Sequence, residues 1–158
     1  MGDNIWLPDR DGLRTPMQWN SSTSAGFSVG ENLYSPVIQQ DPYSAQTVNA
    51  EVQRANPLSL WNTIRKMIAA HKKHPALGLG EMTWIDCKEN SVLAYSRSSE
   101  EENILAIHNL SQDLQPISIK LDPGKQDLTD ILTGQIFSIQ NNLLRLTLDP
   151  YQYLWLLL

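Results

Sequence analysis

One cysteine in 158 residues, Cys87, leaves this chain without an internal disulfide, and it has no Cys-x-x-Cys pair or Cys/His cluster of the kind that holds zinc. A reducing, cytoplasmic setting is therefore expected. Continuous apolar runs are also missing. Nothing approaches the roughly 18 residues needed to cross a bilayer, and Met1-Gly-Asp opens no basic-then-apolar leader. Positive charge is scarce as well: 12 Lys and Arg against 17 Asp and Glu give a net charge of −5, with no basic stripe to displace counterions from phosphate. Nucleic acid and membrane are thus poor partners, and neutral sugars or protein surfaces are better ones. Asp9-x-Asp11-Gly12 invites a calcium loop, but an EF-hand pattern counted from Asp9 would need oxygen ligands and a glycine where Leu13, Arg14 and Asn20 stand. No serine or cysteine sits in a nucleophile motif, and no cofactor is indicated.

What is present suits a core. Hydrophobic residues make up 41% and charged residues 18%, a globular rather than disordered balance. Residues 1 to about 55 carry Pro8, Gly12, Pro16, Gly26, Gly30, Pro36 and Pro42 and hold no sustained periodicity, so they read as a long loop with a short helix near Ala45 to Arg54. A clear helix follows. Asn56 is placed as its N-cap and Pro57 at its first position, and Leu60, Trp61, Ile64, Met67 and Ile68 form one apolar face. Lys72 and Lys73 suit its C-terminal dipole, and Pro75 stops it. That face needs a partner, and it is expected to pack back on the sandwich or to bury against a second copy of the chain.

From Gly78 onward the pattern changes to eight short strands: 82–87, 92–97, 104–109, 117–121, 128–132, 135–139, 143–148 and 151–157. Ile117, Ile119, Leu121 and Leu144, Leu146, Leu148 alternate as half-buried strands do. The fold class read here is mainly β, an antiparallel sandwich over 78–158 preceded by a loop-and-helix segment over 1–77.

Several residues carry chemistry with two readings each. Arg10 and Arg14 lie among Asp9 and Asp11 and before Trp19; by spacing alone they read as structural ion pairs or as sugar-gripping guanidinia. His71 and His74 sit at i, i+3 near a helix end, where interaction with the helix dipole outweighs a metal site lacking a third ligand. His108 reads as a packed or rim residue. Trp84, Tyr95, Tyr151, Tyr153 and Trp155 read as core or interface, with a sugar-stacking platform as the alternative.

Arg14-Thr-Pro-Met-Gln-Trp19 resembles a segment after the eighth barrel strand of the α-amylase superfamily, glycoside hydrolase family 13, in its oligo-1,6-glucosidase, sucrose isomerase and trehalose synthase branches. Met1 to Gly12, Ala25-Gly-Phe-Ser28, Leu33 to Ile38, Val48 to Glu51, Asn56 to Leu60 and Leu148 to Trp155 resemble further landmarks of the trehalose synthase branch, in order. The resemblance implies the end of a (β/α)8 barrel followed by a C-terminal β-sandwich of the amylase type, and a whole enzyme that interconverts maltose and trehalose by glucosyl transfer. It implies that Arg10 and Arg14 touch substrate, with Asp9 and Asp11 orienting them, and that Gln18 and Trp19 hold the loop. The catalytic carboxylates of such enzymes come from earlier strands, so a segment like this should be inactive alone; calcium sites in the family lie outside it. The competing reading is an autonomous, non-catalytic β-sandwich module that binds glucan or protein.

Overall fold

The computed structural model describes residues 14–30, 32–124 and 127–158. The chain divides into two compact units, Met1–Arg65 and Lys66–Leu158.

The first unit is loop-rich, and side-chain hydrogen bonds organise it. A 3₁₀ turn at Thr23–Gly26 places Ser24, Ala25 and Gly26 at φ 52°, 54° and 68°. Gly26 suits this turn because its φ is left-handed, and a Cβ there would lie 2.6 Å from Asn20 Oδ1 and force that side chain to shift. That oxygen accepts from Ser22 N at 3.0 Å and from Ser22 Oγ at 2.6 Å, so the turn closes on Asn20. Helix α1 spans Ala50–Ala55, shorter and later than the expected 45–54. Asn49 fixes its start by accepting from Val52 N at 2.9 Å while donating to Ala45 O at 2.9 Å.

Helix α2 spans Leu60–Lys73, and its cap differs from the expectation. Ser59, not Asn56, caps it: Ser59 Oγ accepts from Asn62 N at 3.2 Å and Ser59 O from Thr63 N at 2.9 Å. Asn56 instead turns the chain by accepting from Leu58 N at 3.0 Å, so Pro57 falls in that turn and not in the helix. Asn62 explains the shift, since its amide donates to Asn56 O at 2.8 Å and Gln53 O at 3.1 Å, closing the end of α1 against the start of α2. The expected apolar face exists but lies open. Leu60, Trp61, Ile64 and Ile68 are exposed, Met67 is half-buried, and the Arg54 guanidinium sits 4.9 Å above the Trp61 ring.

In the second unit a four-residue helix, α3 (Ala76–Leu79), precedes eight strands: β1 (Glu81–Trp84), β2 (Val92–Ser98), β3 (Asn103–Asn109), β4 (Gln115–Lys120), β5 (Asp127–Asp130), β6 (Ile136–Ser138), β7 (Leu143–Leu148) and β8 (Tyr153–Leu157). They match the eight expected strands within a few residues, and β7 matches at both ends. Six form one antiparallel sheet in the order β1-β2-β3-β8-β5-β6, and β4 pairs with β7 in a second. The sandwich core is the set of inward alternating positions: Val92, Ala94, Leu105, Ile107, Leu128, Leu154 and Leu156 from one sheet, and Ile117, Ile119, Leu144 and Leu148 from the other. Each large side chain so buried contributes about 1.5–3 kcal/mol. Asn141 and Asn142, at φ 53° and 59°, form a two-residue turn closed by Gln140 and Leu143, the residue type that left-handed hairpin turns favour.

Buried polar residues fix the connections. Asn109 donates to Asp113 O at 2.7 Å and Asp149 O at 2.9 Å, tying the β3–β4 turn to the β7–β8 turn. Asp130 is 1% exposed, with Oδ1 accepting from Trp155 N at 3.1 Å and Oδ2 from Thr133 Oγ1 at 2.5 Å. Cys87 is buried beside Val92.

Candidate functional site

The loop after Arg14 builds a shallow depression. Pro16 fixes the backbone and is buried, the left-handed turn ending at Gly26 redirects the chain, and Phe27 then faces Leu33 and Tyr34 across it. Arg14, Thr15, Pro16, Phe27, Leu33, Tyr34 and Ser35 line an open space of about 230 Å³. Ser24 Oγ donates to Gly30 O and Gly30 N donates to Ser28 Oγ, both at 3.0 Å, which holds the strand of loop behind Phe27. The walls are apolar and aromatic, with the exposed Arg14 at the lip. Such a surface offers ring faces to the apolar face of a pyranose and a guanidinium to its hydroxyls.

Arg14 thus lines an open, mainly apolar depression. Asp9, Arg10 and Asp11, the other three expected substrate residues, lie outside the described residues. Gln18, expected to be structural, anchors the loop: its Nε2 donates to Val48 O at 2.5 Å and to Tyr43 O at 3.1 Å, while its backbone carbonyl accepts from Ala50 N at 2.9 Å. Trp19 O accepts from Glu51 N at 3.0 Å, although its side chain is 46% exposed. Phe27, Leu33 and Tyr34 were not singled out as site residues by sequence; proline and glycine punctuation around them hides any periodicity, and only the folded loop brings them opposite Arg14.

The remaining candidates resolve into structural roles. His74 is not part of α2: its Nδ1 lies 2.7 Å from Glu102 Oε2 in the β2–β3 turn, a pairing that replaces the expected helix-dipole role. His108 is half-buried on β3 with its ring stacked on Tyr95 at 6.0 Å, and burial lowers its pKa. The strand aromatics are only partly core. Trp84 is 64% exposed and meets Tyr95 edge-on at 5.8 Å, Tyr151 is 65% exposed, and Trp155 is half-buried, because β1 is an edge strand with one neighbour and Tyr151 lies in the turn before β8. Among the described residues no group of three or more His, Cys, Asp or Glu is placed to hold a metal, and no helix is long and apolar enough to cross a membrane.

Two family models divide the chain between them. The α-amylase catalytic domain matches residues 3–80, and the maltogenic amylase C-terminal domain matches residues 82–155. The chain belongs to the α-amylase family. Within that family it is 40% identical over 141 residues to the trehalose synthase/amylase TreS of Mycobacterium tuberculosis, covering 86% of this chain and 24% of that protein. To the trehalose synthase of Thermus thermophilus it is 37% identical over 158 residues, covering 97% of this chain and 16% of that one. A solved structure of the trehalulose synthase MutB, the F164L mutant soaked with trehalulose, superposes with a TM-score of 0.73 at 27% identity over 94% of this chain and 26% of that chain. This amylase-family chain therefore spans about a quarter or less of the length of these relatives.

Proposed function

We propose that this chain is the part of a trehalose synthase that supplies one wall of the sugar site and the C-terminal β-sandwich, in an enzyme that isomerises maltose to trehalose by intramolecular glucosyl transfer. The observation that carries the reading is Arg14 lining an open depression with Phe27, Leu33 and Tyr34, in a chain similar over most of its length to proteins named trehalose synthase. Arg14, with Arg10 beside it in sequence and Asp9 and Asp11 orienting both, grips the hydroxyls of the glucose released within the site. The aromatic wall covers its apolar face. Retaining glucosyl transfer requires a carboxylate nucleophile and a carboxyl acid/base about 5 Å apart. A catalytic barrel contributes that pair, and this segment adds binding and the exclusion of water that lets re-transfer outrun hydrolysis.

The reading includes no cofactor held by this segment, a cytoplasmic setting, and neither nucleic acid nor membrane as partner. The open face of α2, Leu60, Trp61, Ile64 and Ile68, is the surface that meets the barrel or a second copy. Incubating the purified chain with maltose tests the assignment of roles. Neither trehalose nor glucose is expected to form; conversion by the chain alone would show that it carries its own catalytic carboxylates and would refute the division of labour.

A further inference from the structure

Residues 74–80 match the catalytic-domain model, whereas the side chains that hold them belong to residues matched by the C-terminal-domain model. Glu102, in the turn between β2 and β3, engages both ends of the connection out of α2: Oε2 lies 2.7 Å from His74 Nδ1 and Oε1 accepts from Ala76 N at 3.0 Å. Arg97 on β2 completes the contact, its Nε donating to Ala76 O at 3.1 Å. Ala76 is fully buried and His74 is 8% exposed. Gly80 ends the segment with no room for a side chain, since a Cβ would lie 2.6 Å from Ala76 O and 2.8 Å from Ser98 O. One carboxylate therefore accepts from an imidazole and from a backbone amide, two charge-assisted bonds that exist in full only while it is ionised.

We propose that Glu102 is an acid-released latch, fixing the end of α2 and α3 to the β2–β3 hairpin while ionised and freeing them when protonated. The other ionisable groups on the elements packed there are His71, Lys72 and Lys73 in the last turn of α2, Glu81 at the start of β1, Arg97 on β2, and Glu100 and Glu101 in the same turn. Burial acts to raise the Glu102 carboxyl, but the Ala76 amide and the His74 ring outweigh it and hold the group below its usual range. The latch is consequently closed through neutral and mildly acidic pH and opens as the pH falls through that lowered value.

Amide hydrogen exchange on the full chain, expressed as protection factors so that the intrinsic pH dependence cancels, tests this. At neutral pH Glu102→Gln should lower protection at Ala76, Leu77 and Gly80 roughly tenfold while Leu105 and Leu156 in the sheet keep theirs. The unsubstituted chain should show the same local loss on acidification, and the variant no further loss at those amides. Equal protection at Ala76 in the two proteins, or an acid-induced loss that persists undiminished in Glu102→Gln, would overturn the latch. If Glu102→Gln does not fold, the acid series on the unsubstituted chain decides: loss confined to residues 74–80 supports the latch, and loss spread evenly over Leu105 and Leu156 refutes it.

Discussion

Gln18 and Val48 are thirty positions apart in sequence and joined by a 2.5 Å hydrogen bond from the Gln18 side-chain amide to the Val48 carbonyl. With the second bond to Tyr43 O, this one side chain secures the loop carrying Arg14 to the segment leading into α1. Gln18→Leu leaves two carbonyls without that donor, and since both bonds are solvent-exposed the loss should cost about 0.5–1.5 kcal/mol each at most. Hydrogen exchange should show faster opening at Ala50 and Glu51 with no change in the sandwich strands. Unchanged exchange there would mean that the backbone contacts alone hold the loop.

The cap of α2 gives a sharper contrast, because sequence and structure nominate different residues. Ser59→Ala should destabilise the helix by about 0.5–2 kcal/mol, as loss of a Ser cap does. Asn56→Ala should cost less, since its side chain closes a turn before the helix. Chemical denaturation of the two variants measures this, and a larger effect at Asn56 would contradict the observed capping.

Burial separates two leucines of equal size. Leu156 is 0% exposed within the sandwich core and Leu60 is 69% exposed on α2. Leu156→Ala should therefore lose about 2–5 kcal/mol. Leu60→Ser should stay within about 0.5 kcal/mol by thermal unfolding, while reducing any self-association seen by sedimentation, because it removes apolar area from the open face.

His108 supplies a pH dependence with a definite sign. Burial disfavours its imidazolium, so the folded pKa lies below the ordinary 6.5 and the unfolded state binds the proton more readily. Its stabilising effect is complete above 6.5 and is lost as the pH falls from there through the lowered folded value. Stability measured between pH 7 and 5 should decline in the unsubstituted chain and decline less in His108→Gln. Parallel declines would place the titrating group elsewhere.

Much of this architecture is legible in the sequence, for physical reasons that also mark where legibility stops. Ile117, Ile119, Leu144 and Leu148 announce their strands because one face of each meets the opposing sheet, which forces alternation. Asn141-Asn142 announces a hairpin because few residues tolerate two successive positive φ values. The cap of α2 is not legible because Asn56 and Ser59 are both good capping residues, and the choice rests on Asn62 reaching back to the carbonyls of Gln53 in α1 and Asn56 just after it. The pairing of His74 with Glu102, 28 positions on, has no local pattern at all. Trp84 looks like core by composition, yet it lies on an edge strand and stays largely exposed. At the candidate site Arg14 was visible through its motif, whereas Phe27, Leu33 and Tyr34 become neighbours only when the Gly26 turn folds.

The most direct test replaces the matching segment of the Thermus thermophilus trehalose synthase with this chain and measures maltose-to-trehalose conversion with and without Arg14→Ala. The chimera should convert maltose, and Arg14→Ala should lower kcat/KM roughly ten- to a hundredfold, the loss expected of a charged hydrogen bond to substrate, without lowering the unfolding temperature. A folded chimera that produces no trehalose, or one whose kcat/KM is indifferent to Arg14→Ala, would contradict the account.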